Sequence, residues 1–195
     1  MMKTWIKELY FQFRWALPIW MLWILTTWWP TNRITAKIRG CLYRPFFKKC
    51  GNNLLIANGI QLLNTHEIEI GNDVYLSYYA WLNGLGGLIL EDEVVIGPYV
   101  TISTLTHCYK NGSFRFAGAQ SAPVRIGRGS WLASHVSVSY GVNIGSGCVV
   151  AANSAVTKDI PDGMIAGGVP AKEIGKCKED KEPTLMSRSG FDKSP

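Results

Sequence analysis

The sequence predicts an all-β domain, a left-handed parallel β-helix of six-residue repeats, entered through a helical, tryptophan-rich basic arm. Three observations predict it. Aliphatic residues recur at a spacing of six from about Ile70 to Ile160. A second series of smaller residues follows each of them by four positions. The first 50 residues share neither series and carry nine Lys or Arg against one acid, Glu8.

The repeat is clearest late in the chain, where Ile126, Leu132, Val138, Ile144, Val150 and Val156 stand six apart without a gap. Earlier runs are Ile70, Leu76, Leu82 and then Leu90, Ile96, Ile102. The second series reads Val74, Ala80, then Val94, Val100, then Ser130, Val136, Val142, Cys148, Ser154. The residue just after the first position is often small, as at Gly71, Ser77, Gly97, Ala133, Gly145 and Ala151. A helix repeats every 3.6 residues and a strand every 2.0, so neither sustains a period of six. A triangular coil of three short strands does. The large aliphatic fills the interior, the small residue fits the corner, and each coil hydrogen-bonds to the next. Chance patterning in a β-sandwich does not give six consecutive hits with a co-ordinated second series.

The interruptions carry information. Gly84-Leu85-Gly86-Gly87 adds two residues between Leu82 and Leu90, which predicts a bulged corner. The pattern lapses over residues 104–123, which predicts a loop thrown out from one corner. A long loop on a rigid scaffold is a usual home for function. Before Ile70 the repeat weakens: Ile56 and Leu62 keep the spacing, and eight residues then lead to Ile70. The expected organisation is an arm over 1–50, the β-helix over 51–175, and a polar tail over 176–195, rich in Ser, Lys and Pro and expected to be disordered.

Within the arm, Trp15 to Asn32 holds 18 uncharged residues. That is the lower limit of a membrane span. Five of the 18 are Trp, which prefers the membrane–water interface. Pro18 is expected to disturb a helix, and Thr26 and Thr27 dilute the apolar run. No small-residue cleavage site follows, so a signal peptide is not expected. Arg33 to Lys49 then carries six cations and no acid, with Ile34, Ile38, Cys41 and Leu42 at helical spacing. Two readings stand: an amphipathic element lying on an anionic inner leaflet, or a helical cap that hides the end of the β-helix. They are compatible.

The chain's formal charge is +6, but residues 1–50 alone contribute +8. The basic character therefore belongs to the arm and points to an anionic surface. No nucleic-acid recognition motif accompanies it, so nucleic acid is not the expected partner. Five cysteines, an odd number without regular spacing or a CxxC pair, are expected as free thiols in a reducing cytoplasm. The three histidines lack metal-ligand spacing, and no metal site is suggested.

The segment 126–174 contains Trp131-Leu132-Ala133, Val156-Thr157-Lys158-Asp159-Ile160-Pro161 and Gly167-Gly168-Val169-Pro170-Ala171-Lys172. Thr104-Leu105-Thr106-His107 opens the protruding loop. On these motifs, residues 51–176 resemble the maltose and galactoside O-acetyltransferases and the O-acetyltransferases of exopolysaccharide clusters, such as those for colanic acid. The Trp-bearing basic arm is closest to the exopolysaccharide enzymes.

The resemblance implies transfer of an acetyl group from acetyl-CoA to a sugar hydroxyl, without a metal. Such a reaction needs a base, a donor for the thioester oxyanion and a slot for the coenzyme. His107 stands at the family's catalytic position and is the expected base, since imidazole ordinarily titrates near neutral pH. His66 and His135 compete less well, the first in the weak part of the repeat and the second facing outward. Cys108 as a covalent nucleophile is disfavoured because neighbouring side chains in an extended segment point oppositely. Asn83 matches a position associated with acceptor or oxyanion contacts, although its interval to His107 is shorter than in the sugar enzymes. One of Glu91, Asp92 or Glu93, or a backbone carbonyl, is expected to orient His107.

The family's coenzyme groove lies between adjacent subunits. The resemblance points to Ser134, Ala152, Thr157, Lys158 and Lys172, the first two through backbone groups and the last three toward the adenosine phosphates. Where Lys172 stands, relatives often carry Arg, so a point charge replaces a fork. Trp131 either walls the site or packs between subunits. A homotrimer is implied, with sites shared between chains. The acceptor is expected to be a surface polysaccharide or its lipid-linked precursor, reached at the cytoplasmic face of the inner membrane through residues 1–50. A small soluble sugar, an amino sugar or serine is the alternative, and a non-enzymatic scaffold a more distant one.

Overall fold

Coils of three short strands stack along one axis, and their interior is the aliphatic series. The computed structural model describes residues 2–179. The first coil comprises β1 (Lys49–Cys50), β2 (Leu55–Ile56) and β3 (Gln61–Leu63), and the second β4 (Ile68–Ile70), β5 (Tyr75–Leu76) and β6 (Trp81–Asn83). The third holds β7 (Leu88–Leu90), β8 (Val95–Ile96) and β9 (Thr101–Ser103). A hairpin, β10 (Leu105–His107) and β11 (Ala119–Ser121), then projects before the fourth coil, β12 (Val124–Ile126), β13 (Trp131–Leu132) and β14 (Ser137–Val138). The fifth is β15 (Asn143–Ile144), β16 (Val149–Val150) and β17 (Ala155–Val156). An incomplete sixth ends in β18 (Met164–Gly167) and β19 (Lys172–Lys176).

Strands of like position stack into three sheets. Sheet A runs β1-β4-β7-β12-β15, sheet B runs β2-β5-β8-β13-β16-β18-β19, and sheet C runs β3-β6-β9-β14-β17. The pairing within each coil stack is parallel; the hairpin β10-β11 and the closing pair β18-β19 are antiparallel. The register makes columns of the repeat: Ile70, Leu90, Ile126 and Ile144 in sheet A; Leu76, Ile96, Leu132 and Val150 in sheet B; Leu82, Ile102, Val138 and Val156 in sheet C. All are buried, as is the second series from Val74 to Ser154. Full burial of each such side chain contributes about 1.5–3 kcal/mol, which gives the coil stack its cohesion. The small corner residue has a steric cause. A Cβ on Gly71 would stand 2.5 Å from the backbone nitrogen of Asp92 in the next coil.

The arm is helical: α1 (Met2–Phe11), a π-helical turn at Gln12–Ala16 and α2 (Leu17–Thr27) follow without a break. Pro18 was expected to disturb the helix, and the π turn is the form the disturbance takes. Proline crowds the carbonyl four residues back, here Arg14, and the wide turn spans that residue. Among the described residues, no helix is long and apolar enough to cross a membrane.

After Pro30, α3 (Arg33–Tyr43) begins with Asn32 as N-cap; its side chain accepts from Ile34 N and Thr35 N, and Thr35 Oγ1 accepts from Asn32 N in return. This helix lies across the open end of the first coil. It turns inward the face opposite its apolar stripe. Ala36, Arg39, Gly40 and Tyr43 are buried, whereas Ile34 is 72% exposed and Ile38 and Leu42 also face outward. Arg39, only 1% exposed, explains the choice. The first coil's edge leaves carbonyls without a partner below. The guanidinium donates to Ile56 O at 3.5 Å, Thr26 O at 3.2 Å and Trp29 O at 2.7 Å, pinning coil, α2 and α3 together. The cap is thus realised, and the apolar stripe remains outside.

All five cysteines are free thiols. The expected tail of 176–195 begins at the last residue of β19, and from residue 180 onward it lies outside the described residues.

Candidate active site

Three successive corners between sheets C and A are enlarged, and they lie one above another. The first holds a 3-10 turn, Thr65–Glu67; the second holds Gly84–Gly87; the third throws out the β10-β11 hairpin. The eight-residue steps and the lapse in the repeat marked all three. The hairpin is less irregular than a loop, since Leu105, Thr106 and His107 pair with Ser121, Gln120 and Ala119.

Asn83 ends β6 at the middle corner and is buried. Its Oδ1 accepts from Leu85 N at 3.2 Å and Asn64 Nδ2 at 2.8 Å. Because Leu85 N–H is an unambiguous donor, the amide orientation is fixed and the Asn83 NH2 group is left to donate elsewhere. Thr104, fully buried, locks the same corner: its hydroxyl donates to Asn83 O at 2.8 Å and accepts from Gly86 N at 2.8 Å. His107 ends β10, three residues beyond Thr104, and is exposed. Asn83 and His107 therefore lie on successive corners of one edge, joined through Thr104.

None of the three acids considered as partners for His107 serves that edge. Glu91 is bonded to the Arg125 guanidinium and to Arg128 N, Asp92 accepts from Asn72, and Glu93 holds Arg128 at 2.9 Å. They sit at the corner between sheets A and B, where coil-to-coil pairing consumes their charge. The two hydrogen bonds from Asn72 hold the Asp92 carboxyl below the usual carboxylate range.

The other histidines have structural surroundings. His66 packs against Phe11 at 5.3 Å and Trp15 at 5.4 Å. His135 adopts a left-handed φ of 60° and stacks at 4.9 Å on Tyr99, which stacks at 5.2 Å on Tyr79. This ladder runs up the corner between sheets B and C.

The expected coenzyme residues fall into two groups. Ser134 and Ala152 occupy successive coils at the corner between sheets B and C, where Asn153 N bonds Ser134 O at 3.0 Å. Thr157 and Lys158 are exposed just after β17. Lys172, also exposed, opens β19, and the residue before it, Ala171, donates to Ala155 O in β17. The full width of sheet C separates Ser134 and Ala152 from Asn83 and His107, so one chain does not bring them together. Trp131 is exposed on the outer face of sheet B. Among the described residues, no group of three or more His, Cys, Asp or Glu is placed to hold a metal.

Sequence reasoning missed Asn64 and Thr104 as supports of Asn83, and Arg39 as the clamp. The extra-long step from Leu62 to Ile70 was the available signal for the first.

No family model matches the chain. Relatives do. It is 32% identical over 141 residues to the galactoside O-acetyltransferase of Escherichia coli (strain K12), covering 72% of this chain and 70% of that one. It is 31% identical over 146 residues to WcaF of the same strain, an acetyltransferase ascribed to colanic acid biosynthesis, covering 73% of this chain and 76% of that one. Among solved structures it resembles a galactoside acetyltransferase in complex with coenzyme A, with TM-score 0.72 and 28% identity over 81% of this chain and 78% of the other. A maltose O-acetyltransferase from Clostridium difficile 630 matches with TM-score 0.70 and 27% identity over 82% of this chain and 84% of the other. In coil, in sequence and in its coenzyme-bearing neighbours, the chain belongs to the hexapeptide-repeat, left-handed β-helix O-acetyltransferases that use acetyl-CoA.

Proposed function

We propose that this enzyme acetylates a sugar hydroxyl of a surface polysaccharide or of its lipid-linked precursor, with His107 as general base. The observation that carries the reading is the shared edge: an exposed imidazole on the hairpin of one corner and, on the preceding corner, a buried amide whose NH2 is unspent, the two linked through Thr104. The acceptor hydroxyl gives its proton to His107 as its oxygen attacks the thioester carbonyl. The tetrahedral oxyanion meets the Asn83 NH2, and the coenzyme thiolate leaves with the proton returned by the imidazolium. No acyl-enzyme forms.

Ser134, Ala152, Thr157, Lys158 and Lys172 are assigned to the coenzyme. The separation of Ser134 and Ala152 from His107 across sheet C supports a homotrimer in which one chain's coenzyme corner faces its neighbour's His107. The cationic arm and the outward stripe of α3 support peripheral attachment at the cytoplasmic face of the inner membrane, where a lipid-linked acceptor is available. The galactoside O-acetyltransferase relative favours a second reading, a small soluble sugar as acceptor; competition between maltose and lipid-linked oligosaccharides separates the two.

His107→Ala is expected to lower kcat/KM about 10²–10⁴-fold while leaving coenzyme A binding by calorimetry intact. Unchanged turnover would remove His107 from the mechanism.

A further inference from the structure

A cavity of about 400 Å³ lies between the helical arm and the first coil. Phe11, Trp15, Ile19 and Trp23 wall one side, and Leu62 and Thr65 the other. Its lining is mostly apolar, yet it includes two orphaned polar groups, with a third on the neighbouring His66. Thr65 is 1% exposed and its hydroxyl has no partner; His66 Nδ1 and the Trp23 indole N–H are likewise buried and unpaired. Buried polar atoms are nearly always hydrogen-bonded, so two orphans on the wall of one cavity call for a partner from outside.

Two further observations say what kind. Asn64, also in the wall, donates to Asn83 Oδ1, so the cavity shares a wall with the proposed acceptor site. At the other end, Trp20 lines the cavity and is 57% exposed, so the mouth opens on the arm's outer apolar face. We propose that the cavity receives the aliphatic chain of a lipid-linked sugar acceptor, whose linking oxygen meets Thr65 and Trp23 while its sugar reaches Asn83 and His107. The inference rests on the sugar-acceptor reading above and adds the element that selects a lipid-linked substrate over a free one. A chain could pass from a bilayer to the site along the arm without crossing water.

The test uses the full chain and n-octyl, n-nonyl and n-decyl β-maltosides below their micelle concentrations, with maltose as the chainless control. Tryptophan fluorescence reports binding. Affinity is expected to rise about fourfold per methylene, the factor that burial of one CH2 carries, with one glycoside bound per chain. Ala16 also lines the cavity, and Ala16→Phe is expected to remove the chain-length dependence. Thr65→Val supplies a second signature. Removing an orphaned hydroxyl should raise the free protein's Tm yet weaken maltoside binding, an opposition that a purely structural threonine would not give. Leu25→Ser, on the exposed face of α2, should leave the dependence intact. Binding that ignores chain length, or that survives Ala16→Phe and falls only with Leu25→Ser, overturns the proposal in favour of adsorption to the arm. Acetylation is followed in parallel. Maltosides that bind by this rule but are never acetylated overturn the acceptor assignment, whereas maltose and decyl maltoside acetylated equally well overturn the role of the cavity and leave the sugar reading standing.

Discussion

Gly40→Ala sets two effects of known sign against each other. Gly40 is an interior residue of α3, and alanine there gains about 1 kcal/mol of helix propensity. Against this, the new Cβ would stand 1.9 Å from Leu54 O and 2.8 Å from its carbonyl carbon. Both are main-chain atoms of the first coil, so no rotamer relieves the clash. The helix must rise by more than an ångström. A gap of that size forfeits a quarter to a half of the contact energy across an interface, and this interface buries Ala36 and Tyr43. The Arg39 bond to Ile56 O, already 3.5 Å, is lost, and an edge carbonyl left unpaired costs about 1–3 kcal/mol. Loss wins: a net destabilisation of about 2–4 kcal/mol is expected, against the propensity gain. Urea unfolding of variant and parent at one protein concentration measures it, read from the midpoint at constant m. An unchanged or raised midpoint would refute the close seating of α3 on the coil.

Tyr43 supplies a pH signature. Its phenol is pushed up to about 12, chiefly by burial. Folded pKa above unfolded pKa means the stabilisation is complete below about pH 10 and is lost as pH rises from about 10 to about 12, some 2–3 kcal/mol in all; Tyr43→Phe should flatten that part of the difference between two alkaline stability curves. Lys158→Ala and Lys172→Ala are each expected to raise the KM for acetyl-CoA about tenfold with kcat largely kept, an effect that shrinks with added salt; KM values indifferent to both changes would place the adenosine phosphates elsewhere. Full-length protein should co-sediment with vesicles containing anionic lipid and much less with neutral ones, and Trp28→Ser with Ile34→Ser should release it, since both side chains are exposed, Trp28 at 85%.

The coils were legible because closing a triangular prism leaves few choices. Leu132, Val150 and their column mates must be large and apolar, and Gly71 must be small, whatever else the protein does. The corner that departs from the rule was legible for the same reason. The face of α3 was not. The spacing of Ile34, Ile38 and Leu42 marks an apolar stripe without saying whether a membrane or the coil receives it, and the inward surface is the end of a coil, a set of main-chain acceptors rather than an apolar wall. Arg39 answers that surface, and nothing in a one-dimensional pattern announces it. The partner of His107 was illegible for another reason: Glu91, Asp92 and Glu93 are near it in sequence but belong to another edge of the prism.

The strict 18-residue turn from Ile126 to Ile144 makes the height of the molecule a counted quantity. Below lies a storey sealed by Arg39, above lies one closed by β19, and between them the coils are interchangeable. Duplicating residues 127–144 would insert one storey, about 4.8 Å of rise, and leave both ends intact. It would also carry Lys158 and Lys172 one storey farther from His107. On the proposed assignment of Lys158 and Lys172 to the coenzyme phosphates and of His107 to the base, such a scaffold varies the reach between them only in steps of a whole coil, so finer adjustments fall to the corner loops, and this chain has enlarged three of them on one edge.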